Sequence, residues 1–257
     1  MVHRWHSQAV DLPRVLSEDG VRLHAFAKHR QARTSRIEPT GNGATIILGV
    51  GSTWTLAAAG VASRPHRVDN SDSGCCLELS LPPWFAAEVF PKDLISTVTN
   101  AGLVDALGTR GKALVEEVSN SADVEAAANT LIRFLCDPLV NKRRKTRPEI
   151  RWAWRRLTLD CGERSIKALA GDVGWSERHF TAKYSEAIGC SPMRTARLAR
   201  FSAAYRAVAE NRLSLAEVST TAGYYDQSHM IRDFHEFAGM TPGDARLQEA
   251  EHTVAGD

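Results

Sequence analysis

The amino-acid sequence predicts an α+β protein: a β-rich N-terminal domain with appended helices, followed by an all-α domain of two helix-turn-helix units joined by a long helix. Short β-branched or alternating apolar runs mark the chain up to about Val89, and a helical texture takes over from Leu94. The last hundred or so residues contain an internal repeat. At 257 residues the chain fits two modest domains rather than one small module. The expected division is residues 1–140 for the N-terminal domain, 141–148 for a linker, 149–248 for the helical domain and 249–257 for a flexible tail.

The N-terminal elements follow from local patterns. Thr45-Ile46-Ile47-Leu48 is a β-branched strand run, and Ser52 to Leu56 continues strand-like after Gly49 and Gly51. In Cys75 to Leu79 the period is two: Cys75, Leu77 and Leu79 share an apolar face, while Cys76 and Glu78 point to the polar one. Pro82-Pro83 ends that strand, and Trp84 to Phe90 has room for one or two helical turns. Val124 to Leu135 is an amphipathic helix with Val124, Ala127, Ala128, Leu131 and Leu135 on one stripe. The charged stretch Asn141 to Arg147, closed by Pro148, then separates the domains. Such a run is ordinarily just solvated, although it could also touch a nucleic-acid backbone. Beyond it, Ile150, Trp154 and Leu157 fall on the stripe of a leading helix.

Composition removes several function classes. Hydrophobic residues make up 43% and charged residues 24%, as in ordinary globular proteins. No apolar run approaches the roughly 18 residues of a membrane span. The opening MVHRWHSQAVDLPRV has no apolar core of a signal peptide, so a cytoplasmic protein without membrane partners is expected. Cys75, Cys76, Cys136, Cys161 and Cys190 have neither C-x-x-C nor zinc-finger spacing, which points to reduced thiols and no structural zinc. Charge is unevenly spread. Residues 142–248 hold 19 Lys+Arg against 12 Asp+Glu, whereas residues 1–141 hold 13 against 15. That asymmetry is expected when one domain faces phosphate, but a chance surface excess would look the same.

The repeat is more specific. Ser165-IKALAGDVG-Trp175-SERHFTAKYSEAIG-Cys190-SP aligns with Ser214-LAEVSTTAG-Tyr224-YDQSHMIRDFHEFAG-Met240-TP. In both, a turn glycine (Gly174, Gly223) stands nine positions after the opening Ser, and a second glycine (Gly189, Gly239) precedes a Ser/Thr-Pro pair. The second copy has one extra residue between its glycines. Each copy predicts a short helix, a turn through a glycine with positive φ, and a second helix capped by Ser176 or Asp226. Ser214 and Glu217 form a capping box. Phe180, Tyr184 and Ile188 in one copy, and Met230, Phe234 and Phe237 in the other, hold the second helix to the core. Between the copies, Met193 to Asn211 lacks Gly and Pro and carries the stripe Leu198, Phe201, Tyr205 and Val208, with Arg194, Arg197, Arg200 and Arg206 supplying charge. A helix of that length measures about 28 Å, close to the ~34 Å of one DNA turn.

Ala222-Gly-Tyr-Tyr-Asp-Gln-Ser-His-Met-Ile-Arg-Asp-Phe and Phe237-Ala-Gly-Met-Thr-Pro242 resemble the signature of the AraC/XylS family of transcriptional regulators, and Trp175-Ser-Glu-Arg-His-Phe is similarly placed in the first unit. The resemblance spans Trp152 to Leu247, about 40% of the chain. It implies a sequence-specific transcription regulator, an activator rather than a repressor, with double-stranded DNA and RNA polymerase as partners. It also implies an N-terminal sensory or dimerisation domain, giving a homodimer; that domain is similar to the poorly characterised ones of actinobacterial members. The effector is not named by any residue. One departure stands out: the arginine frequent in mid-helix of the first unit is replaced by Ala182, with Thr181 and Lys183 beside it.

Base-reading side chains must lie opposite the apolar stripe, near the start of each second helix. In the second unit these are Gln227, Ser228 and Arg232, with His229 alongside. Gln suits adenine N6/N7 and Arg suits guanine O6/N7. In the first unit they are Arg178 and Thr181, then Lys183. Any one of them could instead clamp a phosphate. His179 and His229 lie nearer the core and fit packing or backbone contacts.

The N-terminal domain offers no comparable motif. His24, His29 and His66 are isolated rather than arranged as metal ligands. Of the cysteine pair, Cys76 is the one expected to be accessible; both fit plain packing better than sensing. No nucleophile–base motif or phosphate loop marks an enzyme, and no cofactor is expected. Two other readings stay open: a regulator acting mainly through protein contacts with weak DNA affinity, and an enzyme with a DNA-binding appendage.

Overall fold

The computed structural model describes residues 6–27, 34–50, 57–59, 64–70, 75–89, 102–137 and 146–254. The N-terminal part is built on an antiparallel sheet of β1 (His6–Ala9), β2 (Arg22–Ala27), β4 (Ala44–Val50), β5 (Ala57–Ala59) and β7 (Cys75–Leu81), in the order β1-β2-β7-β4-β5. A separate pair joins β3 (Thr34–Glu38) to β6 (His66–Asn70). The predicted strands at 45–48 and 75–79 are present; the strand-like run 52–56 and His29 lie outside the described residues. Register explains the sheet's core. Leu79 faces Leu23 on one side and Ile46 on the other, and Leu77 faces Ala25 and Leu48. All six side chains are buried, forming two apolar rows across the three middle strands.

Helices α1 (Arg14–Glu18), α2 (Pro83–Val89), α3 (Gly102–Ser119) and α4 (Val124–Cys136) complete this part. Helix α3 is interrupted at Gly108, where φ is 59° and ψ −142°. Helix α4 starts where Asp123 accepts from the Ala126 amide, and buries Ala127, Ala128, Leu131 and Leu135 as its stripe predicts. Both α3 and α4 pack against the sheet. The central position of β7 corrects the expectation for Cys76. In register between Phe26 and Gly49, Cys76 is buried, and it is Cys75 that is half-buried. Flanking strands β2 and β4 make β7 an interior strand of the sheet, which alternation within β7 alone does not report.

The C-terminal part is helical throughout: α5 (Pro148–Leu159), α6 (Ile166–Asp172), α7 (Glu177–Ile188), α8 (Pro192–Ala209), α9 (Leu215–Thr221), α10 (Gln227–Ala238) and α11 (Pro242–Val254). Local chemistry starts each helix of the repeat. The side chains of Ser165, Ser176, Ser191, Ser214 and Asp226 accept from the amides of Ala168, His179, Arg194, Glu217 and His229. Each such cap contributes about 1 kcal/mol. The capping box of Ser214 and Glu217 is complete. Gly174 and Gly223 turn the chain at φ 72° and 76°, which a residue with a Cβ adopts only under strain. The final helix contradicts the tail expected from residue 249. Helix α11 runs through Val254, and Glu249 accepts a 2.9 Å hydrogen bond from the Tyr205 hydroxyl.

Helix α8 divides the helical part. Residues up to Ala196 belong to a buried cluster that also contains the N-terminal sheet, α2 and the first helix-turn-helix unit. From Leu198 onward, α8 belongs to a second cluster with Val218, Met230, Phe234 and Phe237. Phe201 sits at its centre, 5.1 Å from the Phe234 ring and 5.4 Å from that of Phe237. The N-terminal part meets both units. Arg151 of α5 lies 4.4 Å above the fully buried Trp84 ring and pairs with Asp19 and Glu88, each at 3.3 Å. On the second unit, the Gln248 side chain accepts from the Ile37 amide at 2.9 Å and donates to its carbonyl at 3.1 Å, while the Thr40 amide donates to the Phe237 carbonyl at 2.7 Å.

Candidate nucleic-acid interface

In the second unit, α9 and α10 meet across the Gly223 turn, and α10 has two unlike faces. Met230, Asp233, Phe234, Phe237 and Ala238 are buried. Gln227, Ser228, Arg232 and His235 are exposed, with Ile231 half-exposed among them. Spacings of three, four and seven residues put these five on one stripe. Among the described residues, Gln227, Ser228 and Arg232 make no side-chain hydrogen bond or ion pair. This stripe therefore presents an amide, a hydroxyl and an uncommitted guanidinium from a helix held rigidly behind. His235 and Ile231 extend it beyond the residues singled out in the sequence. Their signal was helical spacing: His235 follows Arg232 by three and Ser228 by seven.

The first unit repeats the geometry with different chemistry. Phe180, Tyr184 and Ile188 hold α7, while Arg178 and Ala182 are exposed and Thr181 is half-exposed. Counted from the N-caps Ser176 and Asp226, Arg178 matches Ser228, Thr181 matches Ile231 and Ala182 matches Arg232. Arg178 makes no ion pair among the described residues. Lys183 is committed instead to Glu186 on its own helix, at 2.8 Å. It also matches Asp233 rather than any member of the exposed stripe.

The two histidines are equivalent. His179 packs edge-on against Trp175 with ring centroids 4.9 Å apart, and His229 against Tyr224 at 5.2 Å. Each amide is bonded by its N-cap. Each thus lies against the aromatic ring of its own turn. Counting along the turns also locates the extra residue of the second copy. Gly174 and Ser176 enclose Trp175 alone, whereas Gly223 and Asp226 enclose Tyr224 and Tyr225. Tyr225 is 95% exposed beside the start of α10.

Electrostatics qualify the basic excess of this half. Arg194 and Arg197 of α8 bond Glu236 at 2.9 and 2.6 Å, and Arg197 also bonds the buried Asp233 at 2.6 Å. Arg200 lies 5.6 Å over the Tyr224 ring. Three of the four arginines that supply charge to α8 thus serve α10 and its turn. Partial burial pushes the Glu236 carboxyl up, but the two guanidiniums hold it below the usual carboxylate range. Arg197 titrates above the usual guanidinium range, because its bonds to Asp233 and Glu236 outweigh its own desolvation.

Among the described residues, no group of three or more His, Cys, Asp or Glu side chains is placed to hold a metal ion, and no helix is long and apolar enough to cross a membrane.

Residues 155–248 match a family model described as a helix-turn-helix domain. Among solved structures, the chain is similar to the C-terminal domain of AraT, a response regulator from Geobacillus stearothermophilus, with 17% identity over 40% of this chain and 88% of that one, at a TM-score of 0.38. It is also similar to a DNA-binding transcriptional dual regulator from Escherichia coli K-12, with 20% identity over 38% of this chain and 93% of that one, at a TM-score of 0.35. ToxT from Vibrio cholerae aligns over 89% of this chain and 97% of its own length, with 8% identity and a TM-score of 0.49. No curated protein matches the chain in sequence. Residues 155–248 are a helix-turn-helix domain of the AraC type.

Proposed function

We propose that the protein is a sequence-specific transcription regulator that sets α7 and α10 into consecutive major grooves, with α10 reading bases and α7 contributing more to placement. The observation that carries this reading is the stripe of Gln227, Ser228 and Arg232, exposed and without side-chain partners among the described residues, on a helix whose opposite face is buried. Side chains already committed to internal ion pairs would have to break them to bind DNA; these do not. Arg232 is assigned to guanine and Gln227 to adenine, with Ser228 beside them. In the first unit Arg178 and Thr181 face the groove. Lys183, His179 and His229 act from behind, through Glu186, Trp175 and Tyr224.

By its domain type we read the regulator as an activator that works in the cytoplasm, contacts RNA polymerase and dimerises through residues 1–140. Residues 141–148 link that domain to the DNA-binding one. Contacts of Arg151 on α5 and Gln248 on α11 tie the N-terminal part to the two ends of the helical domain, a route by which a signal received there would reach DNA.

The test is a footprint of the full chain on the promoters flanking its own gene, repeated across a salt series. Protection of two segments about one helical turn apart, weakening steeply with salt, is the expected result. Protection that ignores sequence, or none at low salt, overturns the reading. Transcription in vitro from a protected promoter then tests activation: a fall in transcript would make the protein a repressor.

A further inference from the structure

The second recognition helix is tied to α8 by a buried ionic contact that, among the described residues, the first unit lacks. Asp233 is 0% exposed on the inner face of α10. One carboxylate oxygen accepts from Arg197 of α8 at 2.6 Å, and the other accepts from the Tyr224 hydroxyl at 3.2 Å. The same guanidinium nitrogen of Arg197 reaches Glu236 at 2.6 Å, and Arg194 bonds Glu236 from one turn earlier on α8. The carboxylate is thus gripped from α8 on one side and from the turn entering α10 on the other. At the equivalent position of the first unit stands Lys183, paired within its own helix. There the polar tie between recognition helix and α8 is a neutral one, from the Tyr184 hydroxyl to the Thr195 hydroxyl oxygen at 3.1 Å.

Apolar packing is non-directional, so Phe234 and Phe237 alone would tolerate a small roll or slide of α10 along α8. A charge-assisted hydrogen bond adds geometric specificity, and fixing a register is the best-attested use of a buried ion pair.

We propose that Asp233, held by Arg197 and Tyr224, is the positioning residue that fixes α10 on α8 and thereby sets the spacing between DNA elements that the protein accepts. This rests on the DNA-binding reading above. Inserting one base pair between the elements rotates the far one by roughly 34° and shifts it about 3.4 Å, a displacement that a rigidly mounted α10 cannot follow.

The experiment uses the full chain and duplexes selected by it from a random library, each remade with one or two base pairs inserted between the protected segments. Wild type is expected to lose about tenfold or more in affinity per inserted pair, the scale of a mismatched contact. Asp233→Asn, which keeps the shape and removes the charge, should bind the parental duplex more weakly and discriminate between spacings by less than about threefold. Tyr224→Phe, which deletes only the hydroxyl, should shift discrimination in the same direction and serves if the Asn variant does not fold. Thermal melts establish that each variant is folded at the assay temperature. Equal loss on every spacing, or unchanged discrimination, overturns the positioning role while leaving DNA binding intact. If wild type selects no duplex at all, the functional reading itself fails.

Discussion

Replacing Arg232 with alanine tests most directly how α10 meets DNA. The guanidinium is exposed and makes no ion pair among the described residues, so its removal costs the fold little, within about 0.5 kcal/mol. The melting temperature should barely move. A bidentate contact to guanine contributes about 1–3 kcal/mol of discrimination, equivalent to a roughly 5- to 150-fold loss on a selected duplex. A random duplex of the same length should lose far less, and the variant should tolerate all four bases at one position. Fluorescence anisotropy on both duplexes across a salt series reads all of this. Because base contacts release few counterions, the slope of log affinity against log salt should stay near that of wild type. Equal loss on both duplexes, with the slope reduced by about one, would make Arg232 a phosphate clamp. No loss on either would remove it from the interface and refute the argument from exposed, uncommitted side chains.

Other outcomes follow from the same structure. Phe234→Ala empties a site between Phe201 and Tyr205 and should cost about 3–5 kcal/mol, read as a fall in melting temperature with binding lost only where the domain unfolds. Lys183→Ala removes an exposed i,i+3 pair with Glu186 and should leave both stability and affinity nearly unchanged; a large affinity loss would return Lys183 to the DNA face. The Ser214 hydrogen bonds hold the Glu217 carboxyl below its ordinary value, so its contribution is present above the unfolded carboxylate value near pH 4.3 and disappears as pH falls through the lower folded value. Melting of wild type should therefore decline more steeply below about pH 4.3 than that of Glu217→Gln, and parallel curves would refute the assignment. Gln248→Ala deletes both bonds to Ile37, and amide exchange at Ile37 should accelerate if that contact holds the N-terminal part to the second unit.

Sequence alone determined whatever depends on neighbours in the chain. The N-caps at Ser176 and Asp226, the capping box at Ser214, the turn glycines and the apolar stripes of α7 and α10 are short-range chemistry, and all of them appear where the repeat places them. Residues exposed opposite those stripes were legible for the same reason, since helical spacing fixes which side chains share a face. Tertiary structure decided what distant segments do to one another. Alternation put Cys76 on the polar face, but it is buried, on a strand in the middle of the sheet. Asp233 and the arginines of α8 read as ordinary surface charge until α10 crosses α8 and pairs them. The contacts of Gln248 with Ile37 join residues 211 positions apart, a separation that no local pattern encodes. Periodicity reports which way a side chain points relative to its own helix or strand. Only packing reports what stands there to meet it, and in this protein that difference separates the arginine left exposed on α10, Arg232, from the arginines of α8 that hold α10 in place.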